Sequence, residues 1–147
     1  MTLNDPYGLS RFIEAQDTDY EQALAEIRSG RKRSHWMWYV FPQFTGLGSS
    51  PTSSHYAIKS RDEAEAYLSH PILGRRLVEC AEAVVQIRDR SALEVFGSPD
   101  DMKLRSSATL FASLSPEGSV FHRLIDQHFD GRRDDRTIEL MGPARSS

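Results

Sequence analysis

The side chains best suited to chemistry fall in three short stretches. The first is Arg31-Lys32-Arg33-Ser34-His35-Trp36-Met37-Trp38-Tyr39-Val40-Phe41-Pro42-Gln43-Phe44, where three cations lead into a run of rings that holds both tryptophans of the chain. Rings beside cations suit a nucleotide, because an indole face takes a base while guanidinium and ammonium groups meet phosphates. On this reading Trp36 or Trp38 stacks the base. Arg31, Lys32 and Arg33 meet phosphates, and His35 and Gln43 add donors. The same rings could equally pack a core, and a cation run after a helix is commonly a solvated face.

The second stretch is Ser53-Ser54-His55-Tyr56. Serines ahead of an extended piece can turn amides and hydroxyls toward an anion, which makes Ser54 and Tyr56 candidate binding residues. His55 could move a proton, since an imidazole titrates near neutrality. A polar loop with a capping histidine is the plainer alternative. The third stretch is Asp100-Asp101-Met102-Lys103-Leu104-Arg105-Ser106-Ser107. On a helix Asp101 and Arg105 are four apart and form a surface pair that contributes only about 0.3–0.5 kcal/mol. Lys103, Arg105 and Ser106 could also hold a phosphate.

Other chemistries find little support. The five histidines have no metal-ligand spacing, so no metal is expected, and no cofactor either. Gly46-Leu47-Gly48 lacks the third glycine of a phosphate-binding turn. Nothing resembles a nucleophile elbow, and Cys80, on an apolar helix face, is expected to be buried and inert.

These residues must be positioned by helices. The chain has 147 residues, 39% hydrophobic and 27% charged, with a net charge of −3. That fits one soluble domain spanning 1–147 and argues against nucleic acid as a general partner, while permitting a local basic patch. One cysteine allows no internal disulfide and is compatible with a reducing cytoplasm. No leader or membrane span is expected.

Apolar spacing predicts a short helix from Leu9 to about Gln16. A second follows, capped at Asp17-Thr18-Asp19 and closed by Gly30. Residues 45–54 read as a loop. Ser60-Arg61-Asp62-Glu63 reads as a capping box. Helices follow from Pro71 to about Arg88, from Ser91 to Phe96, from Ser98 and from Ser115, with 137–141 a last helical turn or short strand. Residues 142–147 are expected to be a loose tail. The predicted fold is mainly α, a single-domain bundle of six to seven helices with room for a small β element near residues 36–41 and 55–58.

Four segments carry a resemblance: 9–16, 30–43, 70–77 and 101–111. They are similar to a bacterial family of small, mainly helical proteins catalogued only as a domain of unknown function. It implies the helical fold and brings no activity. Some members carry a calpastatin label; calpastatin is disordered, and these capped helices do not fit it. A fainter similarity is to the NADAR proteins, which hydrolyse N-glycosidic bonds in ADP-ribose-type or riboflavin-pathway metabolites. It rests on Phe41-Pro42, Ser53-Ser54-His55-Tyr56 and the Ala64 to Arg75 region. Those proteins have a glutamate where Ser54 stands. The resemblance therefore implies retained ligand binding, with the glycosidase chemistry lost or moved and Asp101 or Glu63 as the substitute carboxylate.

Together these observations lead to the expectation that the three stretches meet in one aromatic and basic pocket. Its expected ligand is a small anion such as a nucleotide or ADP-ribose-like metabolite, whether or not hydrolysis follows. The alternative is a helical interaction module that docks an acidic protein or RNA. Oligomeric state is left open.

Overall fold

The computed structural model describes residues 5–143. Residues 144–147, most of the expected tail, lie outside the described residues. Among the described residues there are nine helices and no strand: α1 (Ser10–Arg28), α2 (Met37–Val40), α3 (Pro51–His55), α4 (Arg61–Ser69), α5 (Leu73–Val85), α6 (Ala92–Phe96), α7 (Asp100–Ala112), α8 (Val120–Phe129) and α9 (Asp135–Met141). α5 packs against α1, α4 and α8, while α7 packs against α6, α8 and α9. Phe12, Tyr67, Phe111, Leu73, Leu77, Leu104 and Leu124 fill the space between them.

Where sequence and structure differ, tertiary partners explain the difference. The two helices expected over 9–29 are one, α1. Asp17 and Asp19 do not cap a helix. Asp17 pairs with Arg76 at 3.0 Å and Asp19 accepts from the Tyr39 hydroxyl, while buried Gln16 donates to the Tyr39 carbonyl at 2.6 Å. The start of α1 is held instead by the Asp5 carboxylate, which accepts from the amides of Leu9 and Ser10 at 2.7 and 3.1 Å.

At the other end of α1, Gly30 takes φ +81°, the Arg31 amide reaches the Glu26 carbonyl and the Gly30 amide reaches that of Ile27. This paired closure needs a left-handed residue, as expected of Gly30. The expected β element over 36–41 is instead the single turn α2. That over 55–58 reduces to one parallel bridge between Phe44 and Ile58. Ser60 caps α4, but Glu63 does not reach back to it; its carboxylate takes the Lys59 amide and Arg11. The complete capping box is Ser91 with Glu94, and α8 starts from Ser119 rather than Ser115.

Candidate functional site

The turn between α1 and α2 is organised by one carboxylate. Glu26 is 8% exposed and accepts five hydrogen bonds. Its Oε1 takes the amides of Arg33 (2.7 Å) and Ser34 (3.0 Å) and the indole Nε1 of Trp36 (2.9 Å). Its Oε2 takes the Ser34 hydroxyl (2.6 Å) and the Gln22 amide (3.0 Å). Burial pushes this acid up, but the bonds from Ser34, Arg33, Trp36 and Gln22 outweigh it and hold the carboxyl down at about 2.

The clamp turns the three cations in different directions. Arg31 and Arg33 stay exposed. Lys32, its side chain 7% exposed, turns inward, lies 5.1 Å over the Trp36 ring and pairs with Asp100 Oδ2 at 2.8 Å. Trp36 itself is 1% exposed and packs edge-on to Phe96. Two positions on, Trp38 faces elsewhere, as i and i+2 must on a helical turn. Lys103 of α7 sits 5.0 Å over the Trp38 ring and 3.5 Å from Asp100 Oδ1. Asp100 therefore lies between two lysines and closer to Lys32, which leaves the Lys103 charge only partly balanced.

Lys103 opens onto a recess of about 340 Å³. One wall comes from the 43–53 segment: Gln43, Leu47, Gly48 and Ser53. The other comes from Pro99, Met102, Lys103 and Ser106, with Asp134 ahead of α9. The first wall is built locally. Ser50 caps α3 by accepting from the Ser53 amide at 3.0 Å, with Pro51 in the first turn. Gly48 packs so closely on Ser53 that a Cβ there would lie 2.5 Å from the Ser53 Cβ. The Phe44–Ile58 bridge closes the segment at its base. Behind this wall a cavity of about 30 Å³, room for a water or two, is lined by Trp38, Gln43, Ser54 and Tyr56 among others.

Of the residues singled out from sequence, Gln43, Lys103 and Ser106 line the recess, and Trp38, Ser54 and Tyr56 line the cavity behind it with Gln43. Arg31, Arg33 and His35 lie exposed on the turn after α1, and Lys32 and Trp36 are packed inside. Arg105 stands 3.9 Å from Asp134, its buried Nε without a hydrogen-bond partner among the described residues. His55 is exposed and sets its ring edge-on to Tyr56, while one Asp101 oxygen on α7 is buried with no hydrogen-bond partner among the described residues. Neither His55 nor Asp101 lines the recess or the cavity.

Six lining residues were missed as site residues: Leu47, Gly48, Ser53, Pro99, Met102 and Asp134. Asp134-Asp135-Arg136-Thr137 did carry a helix-start signal, and Asp134 does cap α9.

A larger apolar hollow of about 620 Å³ lies beside the start of α1 between Tyr7, Leu9, Ile13 and Ala66. Two of its polar side chains are already engaged: Asp5 caps α1, and His70 Nδ1 accepts from the amides of Ile72 and Leu73. Among the described residues no group of three or more His, Cys, Asp or Glu could hold a metal ion, and no helix is long and apolar enough to cross a membrane.

The profile of a family described as protein of unknown function (DUF1810) matches residues 6–141. Among solved structures, the chain is similar to the conserved hypothetical protein Rv1873 from Mycobacterium tuberculosis. The two share 50% identity over 93% of this chain and 98% of that one, with a TM-score of 0.91. No curated protein matches the chain.

Proposed function

This chain belongs to the DUF1810 family, whose description carries no activity, and we propose from its recess that it binds a small anionic metabolite. The observation that carries the proposal is the Lys103 ammonium, held on the Trp38 ring at the edge of a recess and shared only weakly with Asp100. A cation over an indole face gains about 0.5–2 kcal/mol and keeps its charge available to an anion. Two neutral donors stand with it. The Gln43 amide has no hydrogen-bond partner among the described residues, and the Ser53 hydroxyl accepts from Ser50 at 2.8 Å, which leaves its own proton free.

Trp38, half-buried, then has a different role from base stacking: Lys103 occupies one face of its ring, and it lines the 30 Å³ cavity rather than the recess. The recess lies at the low end of the range for ligand pockets, about 300–1,000 Å³, so it suits a sugar phosphate or a single nucleotide rather than a dinucleotide. Because neither His55 nor Asp101 lines it, the recess supports binding rather than glycosidic hydrolysis.

Titrating phosphate esters and mononucleotides while following melting temperature and tryptophan emission tests the proposal. A saturable response that Lys103→Gln removes is expected. No response at millimolar concentrations would refute it. A second reading has one observation behind it: Arg31 and Arg33 are exposed and make no ion pair among the described residues. They would dock an acidic protein or RNA, and salt-sensitive capture lost on Arg31→Ala with Arg33→Ala would support that reading.

A further inference from the structure

Resting on the anion-binding reading of the recess, we infer that its ligand is a phosphorylated polyol or sugar, the phosphate on Lys103 and the hydroxyls on the carboxylate of Asp134. The two charged residues lining the recess have opposite signs. Asp134 is fixed in place. Its amide donates to Thr109 Oγ1 at 2.9 Å, and its Oδ2 accepts from Ser106 Oγ at 2.9 Å and from the amide and hydroxyl of Thr137.

The other oxygen, Oδ1, accepts no hydrogen bond among the described residues, and Arg105 stands 3.9 Å from it, beyond hydrogen-bond range. It keeps its lone pairs, and a carboxylate can only accept. A bare anion entering the recess would meet this charge with nothing to offer it. A ligand with hydroxyl groups would satisfy it. A ligand ammonium fits less well, because Arg105 already supplies the positive charge beside Asp134. A base fits less well too, since the indole face is covered by Lys103.

The donors around Lys103 point to a phosphate. Lys103, Gln43 and Ser53 can supply several bonds to one group, which suits the three terminal oxygens of a monoester better than two carboxylate oxygens. Ser106 contributes indirectly: its hydroxyl is engaged with Asp134 and the Met102 carbonyl, so it braces Asp134 rather than meeting the ligand.

Calorimetric titration of the full chain with inorganic phosphate, methyl phosphate, glycerol 3-phosphate and ribose 5-phosphate tests this. Glycerol 3-phosphate and ribose 5-phosphate are expected to bind at least tenfold more tightly than methyl phosphate. Asp134→Asn, which keeps a capping side chain, is expected to shrink that ratio at least fivefold while methyl phosphate binds no more weakly. Equal binding of methyl phosphate and the hydroxylated esters overturns the inference and leaves the anion site standing. So does an Asp134→Asn variant of unchanged melting temperature that weakens every ester alike. If no ester binds the wild-type chain, the anion site fails and this inference with it. The wild-type ratio decides even where the variant is unstable.

Discussion

Replacing Glu26 probes the contact from which the turn after α1 is built. In Glu26→Gln, the amide oxygen can take the place of Oε1 and keep the three fixed donors, the amides of Arg33 and Ser34 and the Trp36 indole. The new NH₂ then meets the Ser34 hydroxyl and the Gln22 amide, both of which can rotate to accept. Only charge assistance is lost. The drop from 4.5 to about 2 corresponds to at most about 3 kcal/mol. Nearby solvent screens part of this and leaves about 1–2 kcal/mol.

The sign follows from the lowered value. The contribution is complete above about pH 5 and fades as the pH falls from 4.5 toward 2. Urea unfolding at pH 7 should therefore find Glu26→Gln less stable than wild type by about 1–2 kcal/mol, with the gap closing toward pH 2–3. Glu26→Ala has no such escape. It strands a buried indole N–H and two amides, costs about 3–5 kcal/mol and lowers the melting temperature by about 6–15 °C. A gap between Glu26→Gln and wild type that is the same at pH 7 and pH 3 would refute the reasoning. So would a Glu26→Ala variant within about 0.5 kcal/mol of wild type.

Other outcomes follow from single contacts. Gly74→Ala should cost about 3 kcal/mol or more in urea unfolding, because a Cβ there lies 2.0 Å from the Leu68 carbonyl oxygen, and backbone cannot step aside. Arg11→Lys should cost about 2–3 kcal/mol. The guanidinium joins the carbonyls of Tyr7, Gly8, His55 and Ala57 to the Glu63 carboxylate, and one ammonium cannot span that set. Cys80 is fully buried and its thiol is pushed up to about 12, chiefly by burial, so it should react with a thiol reagent only at the rate of unfolding. Rapid labelling of the native chain would contradict that.

How much was legible depended on how far away the deciding partner lay. The Gly30 closure of α1 and the Ser60, Ser91 and Asp134 caps are local, and residue type alone points to them. Ser50-Pro51 was equally local, a cap followed by a first-turn proline, but the glycine- and serine-rich composition around it concealed α3. Asp17 and Asp19 have the residue type of caps and use it on Arg76 and Tyr39, which no local pattern reveals.

Arg31, Lys32 and Arg33 look alike in the sequence. Which one turns inward is set by the Glu26 clamp and by Asp100, contributed from the start of α7. The divergence of Trp36 and Trp38 was readable once the turn between them was known to be helical. The contribution of Asp134 to the recess was not, because it depends on Ser106, 28 residues away.

The central claim is that the Lys103 ammonium, held on the Trp38 ring, binds the anion. Titration calorimetry with ribose 5-phosphate, comparing wild type with Lys103→Gln at matched melting temperature, tests it most directly. The account predicts millimolar or tighter binding that falls at least tenfold in the variant and weakens with added salt. Equal affinities in the two proteins, or no heat of binding in the wild type, would contradict it.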